Sequence, residues 1–234
     1  MNCIIASTST VHGSSYLGYF HDALTELFTG VKEIIFIPYA RPGGISHKEY
    51  TKKAQEGLKF LNIDVVGLHE KENPKQAIEN AQAIFTGGGN TFLLVSQLYK
   101  NDLMNNLSDK IKAGCAYLGT SAGSNICGKT MHTTNDMPIV HPPLFDTLGL
   151  FPFNINPHYL DPDPNSTHKG ETRETRIKEF QQQHKIPVVG LREGSWIRIK
   201  DQDLVLKGDL NARVFIPQKE AIEVKPNHSF KNLS

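Results

Sequence analysis

Short apolar runs recur along this chain, each separated from the next by a longer stretch in which apolar residues return at helical spacing. The runs Cys3–Ser7, Glu33–Pro38, Asp64–Leu68, Ala83–Thr86, Ala116–Gly119, Phe153–Ile155 and Pro187–Leu191 read as strands. Helical periodicity falls between them, at about Ser15–Phe28, His47–Leu61, Pro74–Asn80, Thr91–Lys112 and Gly170–Gln183. Strand–helix alternation predicts an α/β fold, a mostly parallel sheet flanked by helices on both faces. The tail changes rhythm. Trp196–Lys200, Leu204–Lys207, Arg213–Pro217 and Ala221–Val224 are short strand-like runs joined by Gly, Asp and Asn turns. They predict a short antiparallel extension on one edge of the sheet.

Composition narrows the class. At 234 residues and 38% hydrophobic, the chain suits one α/β domain spanning residues 1–234. Twenty-five basic residues balance 24 acidic ones, so no excess charge calls for nucleic acid or an anionic membrane. No apolar run is long enough to span a bilayer. The opening residues, Met1-Asn2-Cys3-Ile4-Ile5-Ala6, carry neither a basic segment nor a cleavage-site pattern and read as the first strand of a cytoplasmic protein. Cys3, Cys115 and Cys127 form an odd set without a Cys-x-x-Cys pair, which argues against a disulfide framework and a zinc site. No cofactor or metal is expected. A monomer and a homodimer both remain compatible with the sequence.

The most informative stretch is Gly119-Thr120-Ser121-Ala122-Gly123, directly after the apolar Cys115–Leu118. A Gly-x-Ser-x-Gly turn between strand and helix is the sequence form of a nucleophile elbow. Small residues let the chain turn sharply and lift the serine hydroxyl above the sheet. The N–H after the serine then faces the space where an oxyanion would form.

In open α/β sheets, ligands bind beyond the carboxyl ends of the strands. Polar groups follow four of the predicted strands at once: Gly87-Gly88-Gly89-Asn90, Ser121, Asn156-Pro157-His158, and Glu193-Gly194. A glycine loop, a serine, an imidazole and a carboxylate at one edge point to acyl transfer. The glycine loop lacks the Lys-Ser/Thr of a P-loop and the spacing of a dinucleotide fingerprint. It fits better as an oxyanion hole, with the N–H of Gly88 or Gly89 joining that of Ala122. His158 is the best general base of the ten histidines, ahead of His132, His141 and His168. Either Asp136 or Glu193 has the chemistry to orient its ring.

Six blocks in order carry a resemblance: Gly-Gly-Gly-Asn-Thr-Phe (87–92), Gly-Thr-Ser-Ala-Gly (119–123), Thr-Thr-Asn-Asp-Met-Pro-Ile-Val (133–140), Asn-Ile-Asn-Pro-His (154–158), Gly-Glu-Thr-Arg (170–173) and Gly-Leu-Arg-Glu-Gly (190–194). Together they resemble the peptidase E family, cytoplasmic α-aspartyl dipeptidases that are serine peptidases on a flavodoxin-like fold. The resemblance extends from the first strand to about residue 230. It implies a metal-independent enzyme that removes an N-terminal aspartate from Asp-X dipeptides. Its nucleophile falls on Ser121, its histidine on His158, and its arginine for the aspartyl side chain on Arg173. Asp136 and Glu193 both match positions proposed for the acid. We favour Asp136 as the partner of His158, which leaves Glu193 for the substrate's α-ammonium. Asn90 is expected beside the substrate. The Asp/Pro/Asn-rich segment 159–167 departs from the family pattern and lies beside the expected pocket.

Other readings share parts of this pattern. A cyanophycinase-like exopeptidase for β-linked aspartyl chains would keep the elbow and change the pocket. A glutamine-amidotransferase relative would need cysteine in place of Ser121. A ligand-binding α/β domain would use the same edge without chemistry.

Overall fold

Among the described residues the chain forms eleven strands and seven α-helices. In order they are β1 (Asn2–Ala6), α1 (His21–Leu27), β2 (Glu33–Ile37), α2 (His47–Leu58), β3 (Asp64–Gly67), α3 (Pro74–Asn80), β4 (Ala83–Thr86), α4 (Thr91–Lys100), α5 (Met104–Lys112), β5 (Ala116–Thr120), α6 (Ala122–Asn125), β6 (Asn154–Pro157), α7 (Arg173–Gln183), β7 (Val188–Leu191), β8 (Trp196–Lys200), β9 (Asp203–Lys207), β10 (Ala212–Phe215) and β11 (Ile222–Val224). The computed structural model describes residues 1–165, 167 and 169–233. His168 therefore lies outside the described residues.

The apolar runs are continuous because their strands are buried on both faces. Ile4, Ile34, Phe36, Phe85 and Leu118 point to one side, where Leu24 of α1 and Tyr50 and Ala54 of α2 close over them. Cys3, Ile5, Ile35, Ile37, Ile84 and Tyr117 alternate to the other side, among Leu94, Leu98, Leu107 and Ile111 of α4 and α5. The period of two along each strand thus feeds two separate apolar layers.

The main sheet has seven strands in the order β3-β2-β4-β5-β1-β8-β9. The first five are parallel, and β8 and β9 add on antiparallel beside β1. Relative to the 2-1-3-4-5 order of a flavodoxin-like sheet, β2 to β5 keep the expected sequence and β1 occupies the place of the last strand. The expected antiparallel extension is only half present in this sheet. β10 and β11 join β7 and β6 in a second, four-stranded sheet. The pattern of β6 and β7 gave no sign of this, because both are short, fully buried runs like the strands of the main sheet. One apolar layer serves both sheets: Ile155, Val189, Leu191, Ala212 and Val214 share it with Ile5 and Ile197.

Two helices also differ from the periodicity. The long stretch predicted over 91–112 breaks into α4 and α5 at Asp102, which takes a left-handed φ of 53°. Asn101 turns its amide back onto the Gln97 carbonyl and ends α4. The helix predicted from Ser15 begins only at His21, after a 3₁₀ turn at Gly18–Phe20. No described helix is long and apolar enough to cross a membrane.

α6 is short and packs backbone to backbone. A Cβ on Gly123 would collide with the Thr86 carbonyl of β4. Gly123→Ala is therefore expected to cost about 1–3 kcal/mol as overpacking with no side chain able to yield. Calorimetry should show a Tm lowered by roughly 2–12 °C, at about 2–4 °C per kcal/mol for a chain of this size. An unchanged Tm would mean that α6 can shift freely, and with it the serine at its start.

Candidate active site

The register of the two sheets brings the polar residues together. Ala6 pairs with Thr120 at the ends of β1 and β5, so Ser7 and Ser121 emerge side by side. Pro157 pairs with Leu191 at the ends of β6 and β7, so His158 and Arg192 emerge side by side, with Glu193 next.

Ser121 is the N-cap of α6 and has φ 54° and ψ −111°. That conformation is costly for a residue with a side chain, of order 1–3 kcal/mol, and the surroundings hold it in place. Its N–H donates to the Ala6 carbonyl at 3.1 Å, and its carbonyl accepts from the N–H groups of Ser124 and Asn125 at 2.9 Å each. Ser124 Oγ lies within hydrogen-bond distance of both the Ala6 and Gly119 carbonyls, which share its one proton. The side chain of Asn125 reaches across to the Ile155 carbonyl of β6 at 2.8 Å and ties the elbow to the second sheet.

His158 also has a left-handed φ of 54°. Its Nε2 lies 2.9 Å from Ser121 Oγ, and its Nδ1 lies 2.6 Å from Glu193 Oε1. A neutral imidazole with its proton on Nδ1 satisfies both contacts: it donates to the carboxylate and accepts from the hydroxyl. The carboxylate is half exposed and the ring about one-third exposed, so the line is open to solvent on one side. Arg192 fixes the backbone just before Glu193. It forms a two-pronged pair with Asp161 at 2.6 and 2.8 Å, and it also binds Glu223 and the Asn211 carbonyl. These anions hold its guanidinium well above the usual arginine range.

Of the two carboxylates, Glu193 meets the imidazole, which corrects the preference for Asp136. Asp136 Oδ2 instead accepts from Thr91 N at 2.7 Å, Thr91 Oγ1 at 2.6 Å and Thr134 Oγ1 at 2.9 Å. It sits on the N-terminus of α4, where exposed N–H groups and the helix dipole favour an anion. Asn90 is also committed to the fold. Its Oδ1 caps α4 through Leu93 N, and its Nδ2 donates to the Met137 carbonyl at 2.9 Å. Both residues clamp segment 133–137 onto α4.

The glycine loop lies against the serine. A Cβ on Gly88 would come 2.9 Å from Ser121 Cβ, so only glycine allows this approach. The buried Tyr50 hydroxyl donates to the Gly88 carbonyl at 3.0 Å. Because the peptide is planar and trans, the Gly89 N–H of that unit faces the opposite way. Among the described residues, the N–H groups of Gly88, Gly89 and Ala122 donate to no protein acceptor.

Arg173 is the first residue of α7, behind a Thr172 cap. With Arg176, Thr134, Asn135 and Asn156 it lines a cavity of about 40 Å³. Asn135 donates to the Pro157 carbonyl, which places this cavity against the residue preceding His158. Burial, and then the Arg176 guanidinium, pull Arg173 below the ordinary arginine value, with Asp136 opposing them. His132 packs among Phe145, Phe180 and His184 and lines the same cavity as Arg173. His141 is exposed on the 137–145 segment. Among the described residues, no group of three or more His, Cys, Asp or Glu side chains is arranged to hold a metal ion.

Two contributors are absent from the sequence reading. Ser7 follows β1 at the same strand edge, and the rule that selected Ser121 and His158 would have picked it had β1 been ended one residue earlier. Tyr50 is a core residue of α2, and no local pattern marks it.

Residues 3–207 match the model for peptidase family S51. A protein of Streptomyces coelicolor named peptidase E is 47% identical over 92% of this chain and 87% of its own length. A Drosophila melanogaster protein named probable alpha-aspartyl dipeptidase is 43% identical over 96% of this chain and 94% of its own length. Among solved structures, that of a peptidase from an acI-B1 actinobacterium superposes with a TM-score of 0.67, covering 97% of this chain and 95% of that one. At 13% identity this last likeness is one of fold. The family match spans most of the chain and includes the serine elbow, the histidine turn and the Arg-Glu-Gly block, and the chain belongs to peptidase family S51.

Proposed function

We propose that this chain is a serine dipeptidase that hydrolyses Asp-X dipeptides, with Ser121 as nucleophile, His158 as general base and Glu193 as the acid orienting it. The observation that carries the reading is the unbroken line from Ser121 Oγ through the imidazole to Glu193 Oε1, at 2.9 and 2.6 Å. The names of the Streptomyces and Drosophila relatives supply the substrate class.

The chemistry follows from the geometry. Ser121 Oγ attacks the aspartyl carbonyl carbon while its proton passes to His158 Nε2. Glu193 keeps the Nδ1 proton in place and offsets the charge of the imidazolium. The N–H of Ala122 and an N–H of the Gly88–Gly89 turn donate to the developing oxyanion. The imidazolium then protonates the leaving amine, and water cleaves the acyl-enzyme by the same route. Arg173 binds the aspartyl side chain, because its planar fork matches both carboxylate oxygens and keeps its charge when partly buried. Asp136 holds the 133–137 segment on α4, and its Oδ1, which accepts no bond among the described residues, is the oxygen left for the α-ammonium. Three unpaired, buried thiols at Cys3, Cys115 and Cys127 support a reducing, cytoplasmic setting.

Steady-state hydrolysis of Asp-Leu against a β-Asp-Arg dipeptide tests the substrate class, and preference for the β-linked peptide would overturn it. Ser121→Ala removes one hydroxyl and leaves the turn intact, so it should fold normally and lose on the order of 10⁴-fold or more in kcat. Near-wild-type turnover in that variant would end the serine mechanism.

The two carboxylates separate by kinetics. Glu193→Gln should depress kcat with little change in KM, because the imidazole loses its orienting anion. Asp136→Asn should chiefly raise KM and lower Tm, because it loosens a segment anchored on α4. The opposite pattern would move the orienting role to Asp136.

Specificity for the aspartyl side chain rests on Arg173. Arg173→Lys keeps the charge and loses the fork, so kcat/KM for Asp-X should fall roughly ten- to a hundred-fold, about 1.5–3 kcal/mol for a charge-assisted hydrogen bond. Asn-X dipeptides should be poor substrates and lose far less. Equal losses for both would assign the carboxylate to another group, with Arg176 the next choice because Arg192 is already engaged by Asp161 and Glu223.

A further inference from the structure

We infer that Ser7 is the positioning residue for His158, its buried hydroxyl fixing the backbone from which the imidazole reaches both Ser121 and Glu193. This rests on the serine mechanism proposed above and adds a group that touches none of the reacting atoms.

Ser7 follows β1 and is fully buried. Its Oγ donates to the Leu191 carbonyl at 2.8 Å and accepts from the His158 N–H at 2.9 Å. A hydroxyl has one proton. Giving it to Leu191 leaves the oxygen lone pairs for His158, so the direction of the bond is set. The His158 N–H has no other acceptor among the described residues. The Leu191 carbonyl also takes the Tyr159 N–H at 2.9 Å, so the left-handed turn at His158 is gripped on both sides.

The grip extends to the other two members of the line. The Ser7 N–H donates to the Ser195 carbonyl at 3.0 Å, just beyond Glu193, and the Ala6 carbonyl receives the Ser121 N–H. One dipeptide step at the end of β1 is therefore bonded to the serine turn, the histidine turn and the glutamate turn. Alanine at position 7 would keep the two backbone bonds. It would leave the His158 N–H unpaired inside the protein and the left-handed turn held only from its Tyr159 side. The consequence is displacement of the imidazole, and a displacement of about 1 Å costs up to about a hundredfold in rate.

The test uses the whole enzyme, a fluorophosphonate probe that labels the activated serine, and Asp-Leu as substrate. Ser108→Ala is the control. It removes another buried serine hydrogen bond, to the Leu148 carbonyl, from α5. Ser7→Ala should label about ten- to a hundred-fold more slowly than wild type and lose kcat to the same extent, with KM for Asp-Leu within about twofold. Ser108→Ala should lose comparable Tm and label at the wild-type rate. Ser7→Cys, which retains a weak donor and acceptor, should fall between wild type and alanine, and it decides the matter if the alanine variant does not fold. A wild-type labelling rate in Ser7→Ala, or in Ser7→Cys where alanine fails, overturns the inference. Loss of labelling in step with Tm across all three variants also overturns it. A wild-type enzyme that the probe does not label overturns the serine mechanism itself, and the role of Ser7 with it.

Discussion

The fastening of two sheets at the end of β1 is the constraint on which the site depends. Ser121 belongs to the main sheet, while His158 and Glu193 belong to the second. Nothing in either sheet alone would hold an imidazole 2.9 Å from the serine hydroxyl. The Ala6 carbonyl and the Ser7 amide and hydroxyl supply that registration through hydrogen bonds to all three turns. The side chain of Asn125 adds a second tie, from α6 to β6. The shared apolar layer presses the sheets together, but apolar packing is not directional. Hydrogen bonds with fixed geometry set the final distances.

Backbone strain at the site has an identifiable support. Ser121 and His158 both adopt positive φ, the conformation that L-residues avoid. Each is held by bonds from its own N–H and by the strand it terminates. Around Ser121 the supporting contacts are between backbones: Gly119 against Gly123, Gly123 against Thr86, and Gly88 against the serine itself. Side chains at those glycines would push the turn out of place. Ser121 is thus presented by close packing, with little room to relax.

Charge is divided by location. Glu193, half exposed, is free to serve the imidazole, and Arg192 beside it is occupied by Asp161 and Glu223. Asp136 is absorbed by two threonines and a helix N-terminus. Two carboxylates of similar chemistry therefore take different places because their backbones leave different elements. Arg173, half-buried and close to Asp136, faces together with Arg176 a small cavity that Asn135, Asn156, Ile177 and Phe180 also line.

The sequence by itself determined which short runs become strands, the α/β class, the elbow at Ser121 and the strand-end positions of His158 and Glu193. These are local properties: apolar period, glycine spacing and the place where a strand stops. It also carried the family resemblance, through six blocks in order. Only the tertiary structure assigned β6 and β7 to a separate sheet with β10 and β11, since a buried strand reads the same whichever neighbour it pairs with. Only the tertiary structure separated Glu193 from Asp136, because both are acidic residues in polar loops and the distinction is one of distance across the fold. Asn90, Ser7 and Tyr50 follow the same logic. Their partners lie 47, 151 and 38 residues away, and hydrogen bonds over such separations leave no periodic trace in a single sequence.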